Sequence, residues 1–166
     1  MNLENLSGMP EWEDKPLRAQ ENEGEELWKG DGKHQKAVQL YNQWKSILVL
    51  LLGLYDGLRN SDDLPGKDYL ENEKSMTLEE AYLVGAKIRG AEAGNHYVLR
   101  MENASLIRKA AQAVCIHISS LGMLGLADDA YIDAVKSELE KFRGYFKEWV
   151  ASFQKDDYED EWGLYV

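Results

Sequence analysis

The chain has 166 residues, 44% of them apolar and 30% charged, which suits one domain of about 100 to 200 residues with a sizeable core and excludes a wholly disordered chain. Nineteen basic residues face 30 acidic ones, for a net charge of −11. Such an excess repels a phosphate backbone or an anionic bilayer, so neither nucleic acid nor membrane is an expected partner.

The acid is unevenly placed. Residues 1–36 hold nine acids and five bases, and residues 154–166 hold five acids and one base, so residues 37–153 are nearly balanced. The expected organisation is an N-terminal acidic arm over 1–36, a helical bundle domain over 37–153 and a C-terminal acidic aromatic tail over 154–166. Trp12 and Trp28 in the first arm, and Tyr158, Trp162 and Tyr165 in the tail, are expected to dock on the chain's own bundle, because large rings usually bury area. Met1-Asn2-Leu3-Glu4 lacks the basic-then-apolar order of a secretion signal. The longest uncharged apolar stretch, Ser46 to Tyr55, falls short of the ~20 residues that span a bilayer.

The first element is predicted from Ala37 to Asn60, where Val38, Tyr41, Trp44, Leu48, Leu51, Leu52, Tyr55 and Leu58 recur every three or four residues. Around Ile47 to Leu54 it is apolar on nearly all sides, which calls for neighbours on more than one face. A breaker-rich loop, Asn60 to Gly66, follows. Thr77-Leu78-Glu79-Glu80 has the pattern of a capping box and predicts a helix start at Thr77. From Leu78 the apolar arc keeps one direction as far as Leu121, through Ala81, Tyr82, Gly85 and Ile88 and then Tyr97, Met101, Ile107, Val114 and Ile118. Unbroken, this helix would span about 66 Å at 1.5 Å per residue. A kink or break between Gly90 and Asn103 is the other solution, so the fold is an all-α, up-and-down bundle of three or four helices with a long or kinked middle helix. Gly122 and Gly125 supply the next turn. Asp128 then caps a helix whose Ile132, Val135, Leu139, Phe142, Phe146, Trp149 and Phe153 alternate steps of three and four, the heptad of bundle packing.

One feature departs from ordinary amphipathicity. Arg89, Glu92, His96, Arg100 and Asn103 occupy the core-facing arc of the middle segment, where an unpaired ion is strongly disfavoured. Three arrangements account for it. Both guanidinium groups and His96 could hold an anionic ligand in a polar pocket, oriented by Glu92. They could instead form a self-satisfied network, with Glu92 paired to Arg89 or His96 and both arginines meeting acids on other helices. A kink could also turn them to solvent.

Other chemistries find little support. Ala37 to Tyr55 contains no acid, and Glu92 and His96 are four residues apart, so the Glu and Glu-x-x-His set of a di-iron bundle is missing. His96 and His117 on one straight helix would lie about 31 Å apart. His117 reads as a hydrogen-bonded histidine at the core edge. Cys115, the single thiol, cannot form an internal disulfide, lacks zinc-ligand spacing and reads as packing in a reducing, cytoplasmic setting. No metal or cofactor is implied. The leading expectation is a non-catalytic interaction protein, a homodimer by virtue of the last helix's heptad and the length of the middle one. The alternative is a small enzyme or anion-binding protein that uses the five-residue stripe.

Overall fold

The helical periodicity becomes four helices in a computed structural model of the chain, which describes residues 6–12, 32–59, 67–94 and 96–165. They are α1 (Gly32–Arg59), α2 (Lys67–Glu92), α3 (Tyr97–Met123) and α4 (Asp129–Val150). Among the described residues there is no strand. The expected loop over 60–66 and Trp28 lie outside the described residues.

Helix directions follow from the cross-contacts. Between α1 and α2, Trp44 Nε1 donates to the Ala81 carbonyl at 2.6 Å, while Tyr55 meets Thr77. Between α1 and α4, Lys36 reaches the Glu148 carbonyl, Gln43 that of Glu138, and Tyr131 that of Leu50. In each pair one number rises as the other falls, so neighbours are antiparallel. The α2–α3 pair packs most extensively and α3–α4 least, while α1 and α3 are diagonal. This is the up-and-down bundle with the middle segment broken.

Its core is built from Leu40, Tyr41, Trp44, Ile47, Leu48 and Leu51 of α1, with Val84 and Ile88 of α2, Ile107, Val114 and Ile118 of α3, and Val135, Phe142 and Trp149 of α4. The heptad of α4 therefore finds its partner inside the chain: Phe142 lies 4.7 Å from Trp44, ring centre to ring centre. Because that stripe is used internally and the middle segment is folded back, both sequence arguments for a dimer are absorbed within one copy.

Two boundaries correct the sequence reading. First, α1 begins at Gly32, ahead of the apolar pattern, since His34 to Lys36 extend the helix without contributing to its stripe. Second, α2 begins at Lys67, and Thr77 is not a cap. Thr77 is buried mid-helix, where its hydroxyl donates to the Glu73 carbonyl one turn back at 2.8 Å. A threonine can bond within a helix in this way as well as cap one, and the four-residue motif does not distinguish the two.

The turn before α4 is as expected. Leu126 N–H reaches the Leu121 carbonyl and Gly125 N–H that of Gly122, with Gly125 at φ +67°, the paired bonds of a Schellman ending. Asp128 then caps α4 through bonds from Ala130 and Tyr131.

Residues 6–12 strap across α1 and α2. Met9 is buried, Tyr41 donates to the Pro10 carbonyl at 2.7 Å, Tyr82 donates to that of Ser7, and Trp12 packs edge-on against Tyr41.

Candidate functional site

The break after Glu92 divides the polar stripe. Arg89 and Glu92 end α2, His96 precedes the first turn of α3, and Arg100 and Asn103 lie within its first two turns. Arg89 is exposed and turned away from the other four. Its guanidinium sits 5.9 Å from the Trp12 ring centre and beside the Tyr41 phenol, partly opposing the upward push that burial gives that phenol's pKa.

Glu92 and Arg100 face inward, each with a side chain 11% exposed, and form an ion pair at 3.8 Å. The other Glu92 oxygen accepts Trp149 Nε1 of α4 at 3.2 Å. Arg100 Nε donates to the Gly94 carbonyl, and its guanidinium lies 5.6 Å from the Phe153 ring centre. Asn103 is buried; its amide donates to the Leu99 carbonyl at 2.8 Å, and the Gly90 backbone packs against it. Glu92, Arg100 and Trp149 thus make a clasp joining α2, α3 and α4.

His96 projects outward, its side chain 65% exposed, with Nδ1 3.6 Å from Asp156 and its ring 5.2 Å from that of Tyr158. His96 occupies the N-cap position of α3 without capping it. Asp156 supplies that function from the tail, accepting the Tyr97 N–H at 3.0 Å. The bond lowers the Asp156 carboxyl pKa, with smaller help from the Tyr158 amide and His96.

A second polar cluster escaped the sequence reading. Glu73, buried on α2, meets His117 Nδ1 of α3 at 2.6 Å. One turn on, Thr77 lies 2.7 Å from the Tyr55 hydroxyl. Since the single Thr77 proton goes to the Glu73 carbonyl, Tyr55 is the donor. Burial pushes the Tyr55 phenol up to about 12, against a smaller lowering by Thr77. The available signal was that Glu73 and Thr77 continue the Ala81, Val84 and Ile88 face backwards at steps of three and four; placing the helix start at Thr77 hid it. His117 is the bonded core-edge histidine that its position suggested.

Among the described residues no group of three or more His, Cys, Asp or Glu side chains could hold a metal ion, and no helix is long and apolar enough to cross a membrane. Two surface features remain. A groove of about 700 Å³ between α1 and α4 is lined by His34, Val38, Gln39, Asn42, Gln43 and Tyr145. On the other side, α2 and α3 expose Tyr69, Met76 and Leu83 opposite Leu99, Leu106, Ile116 and Met123, the last two 66% and 89% exposed. Comparison with known proteins found no matching family model, no similar curated protein and no similar solved structure.

Proposed function

We propose that this is a non-catalytic cytoplasmic protein that acts through protein–protein contacts and self-associates as a homodimer through the outer face of its α2–α3 hairpin. The observation that carries the reading is the exposed apolar strip on that face. Tyr69, Met76 and Leu83 are seven residues apart and so lie on one line of α2, about 10 Å between neighbours. The Glu73–His117 and Gly90–Asn103 contacts fix the register of the hairpin, bringing Met76 level with Ile116 and Leu83 level with Leu106. Apolar surface gathered in this way is a common mark of protein interfaces.

Charge supports a second copy as the occupant. In a chain of net charge −11, Leu106 is flanked by exposed Glu102 and Lys109, which cancel. A two-fold pairing of antiparallel α3 helices sets Glu102 of one copy near Lys109 of the other. The single cysteine fits a reducing compartment. The anion-binding alternative fits less well, because Glu92 and Arg100 neutralise each other and Arg89 faces Trp12.

Sedimentation at about 50 µM, where a micromolar contact is populated, tests the reading. The parent is expected at twice the 19.0 kDa chain mass, and Leu106→Glu with Ile116→Glu at the chain mass with helix content unchanged. A monomeric parent at that concentration overturns it.

A further inference from the structure

Residues 6–12 lie on α1 and α2 as a bound peptide lies on a receptor. The segment is neither helix nor strand, and its shape is set within itself: Ser7 Oγ accepts the Met9 N–H at 3.2 Å, Gly8 has φ +68°, and Pro10 fixes its own φ. The bundle then holds it with side chains. Tyr82 donates to the Ser7 carbonyl at 3.2 Å and Tyr41 to the Pro10 carbonyl at 2.7 Å, so two peptide groups of the strap are matched to two phenols, one on each helix.

Between those two bonds Met9 is 3% exposed, and its methyl fills a notch over Gly85. A Cβ at Gly85 would collide with the Met9 Cε and touch Tyr41, so the notch exists because α2 carries there a glycine, a residue that otherwise weakens a helix interior. Lys45 of α1, its side chain 14% exposed, pairs with Glu11 at 2.5 Å, and Trp12 packs edge-on against Tyr41 beside the Arg89 guanidinium. Shape, hydrogen bonding and charge all select this segment, and none of these contacts depends on which copy of the chain supplies it.

Nineteen residues, 13–31, separate the strap from α1, yet its end stands at the start of that helix, with the Trp12 ring 5.7 Å from that of His34. Binding its own strap therefore closes a loop, at an entropic cost that exchange between copies relieves. A tether of that length reaches at most about 65 Å, enough to cross to a neighbouring molecule. We infer that the α1–α2 notch is a peptide-binding site whose ligand is the Met9 strap, and that two copies exchange straps reciprocally. An effective concentration on the order of 1 mM holds the resident strap in place, so exchange is populated as the chain approaches that concentration. Trading one identical element between copies is a low-cost route to a closed two-fold pair. It uses a different face from the α2–α3 dimer and does not depend on it.

The test uses full chains carrying Leu106→Glu and Ile116→Glu, so that the α2–α3 face is disabled, and Cys115→Ala, which removes the native thiol. A donor chain adds Glu11→Cys and a receiver chain adds Lys45→Cys, the two positions that meet when a strap is docked. Neither chain holds two thiols, so a short bis-maleimide joins donor to receiver efficiently only when the strap of one lies in the notch of the other. In an equimolar mixture at about 1 mM, the mixed product, at twice the 19.0 kDa chain mass, is expected to exceed the product of either chain alone. Met9→Asp in the donor, or Gly85→Val in the receiver, is expected to cut its yield about tenfold or more with helix content unchanged, the loss that follows from forfeiting a buried side chain of this size. Met9→Leu, close in volume, is expected to retain it. The inference is overturned if the mixed product does not exceed that of either chain alone, or if Met9→Asp or Gly85→Val leaves its yield unchanged. Each failure leaves the α2–α3 dimer standing, since that is read separately at about 50 µM in the parent.

Discussion

Single side chains tie the bundle together where its helices meet. Tyr55 donates to Thr77, whose own proton is committed to Glu73, so Thr77→Val strands a buried phenol. The expected loss is about 1–3 kcal/mol. Adding Tyr55→Phe is expected to recover part of it, a coupling that a double-mutant cycle of urea midpoints measures. The same phenol sets an alkaline limit. It ionises at about 12 in the folded chain and at about 10 when unfolded. Below pH 10 both states keep the proton; between pH 10 and 12 only the unfolded state releases it, and stability falls. Tyr41 and Tyr131 shift in the same direction, so Tyr55→Phe is expected to make the fall in urea midpoint shallower without removing it. An identical fall in parent and variant contradicts the assignment. For the clasp, Glu92→Met with Arg100→Met removes both ions together, which alone can be neutral, but strands the buried Trp149 indole N–H, so a melting temperature below that of the parent is expected. If inorganic phosphate raises the melting temperature of the parent and not of this variant, the stripe holds an anion after all.

At the scale of elements, helix ends decide the architecture. The Asp128 cap and the Gly125 turn were legible because short-range rules govern them and α4 repeats its apolar residues strictly. Asp128→Ala is expected to lower stability by about 1 kcal/mol, read as a drop of about 2–4 °C in melting temperature for a chain of this size. Gly53 shows tight α1–α4 packing, since a Cβ there would stand 2.7 Å from the Tyr131 hydroxyl, which bonds the Leu50 carbonyl. Gly53→Ala is expected to destabilise by about 1–3 kcal/mol, and pairing it with Tyr131→Phe to relieve part of the loss, both by thermal melts. The start of α2 was illegible because Thr77 bonds its own helix. The stripe was half legible: its arc placed Glu92, Arg100 and Asn103 inward correctly. The break after Glu92 reset the helical phase, leaving His96 outside, and Arg89 rotated toward Trp12. Neither Trp149 nor Asp156 could be identified as a partner from spacing, since each lies more than fifty residues away along the chain.

At the scale of the whole molecule, the described parts of the two acidic ends, residues 6–12 and 154–165, touch the bundle. Trp12 and Tyr165 pack against the bundle as expected for arm aromatics, whereas Trp162 remains exposed; composition alone does not separate a docked ring from a presented one. The acidic tail is also a structural part, because Asp156 completes α3. Its carboxyl pKa is held below the ordinary value, so the contribution is present above about pH 3.9, the unfolded pKa, and is lost as pH falls through the lower folded one. Asp156→Ala, which removes the acceptor, is expected to speed amide exchange in the first turn of α3 while leaving the first turn of α4 unchanged. Equal exchange in parent and variant at Tyr97 refutes the cap.

That cap reaches back 59 positions along the chain, which bears on how the protein is made. During synthesis α2 and α3 leave the ribosome well before Asp156 does, so the first amide of α3 gains its cap only after α4 has followed. A protease that nicks just beyond Val150 would undo that cap from a distance, fraying the hairpin tip while the interior remains packed.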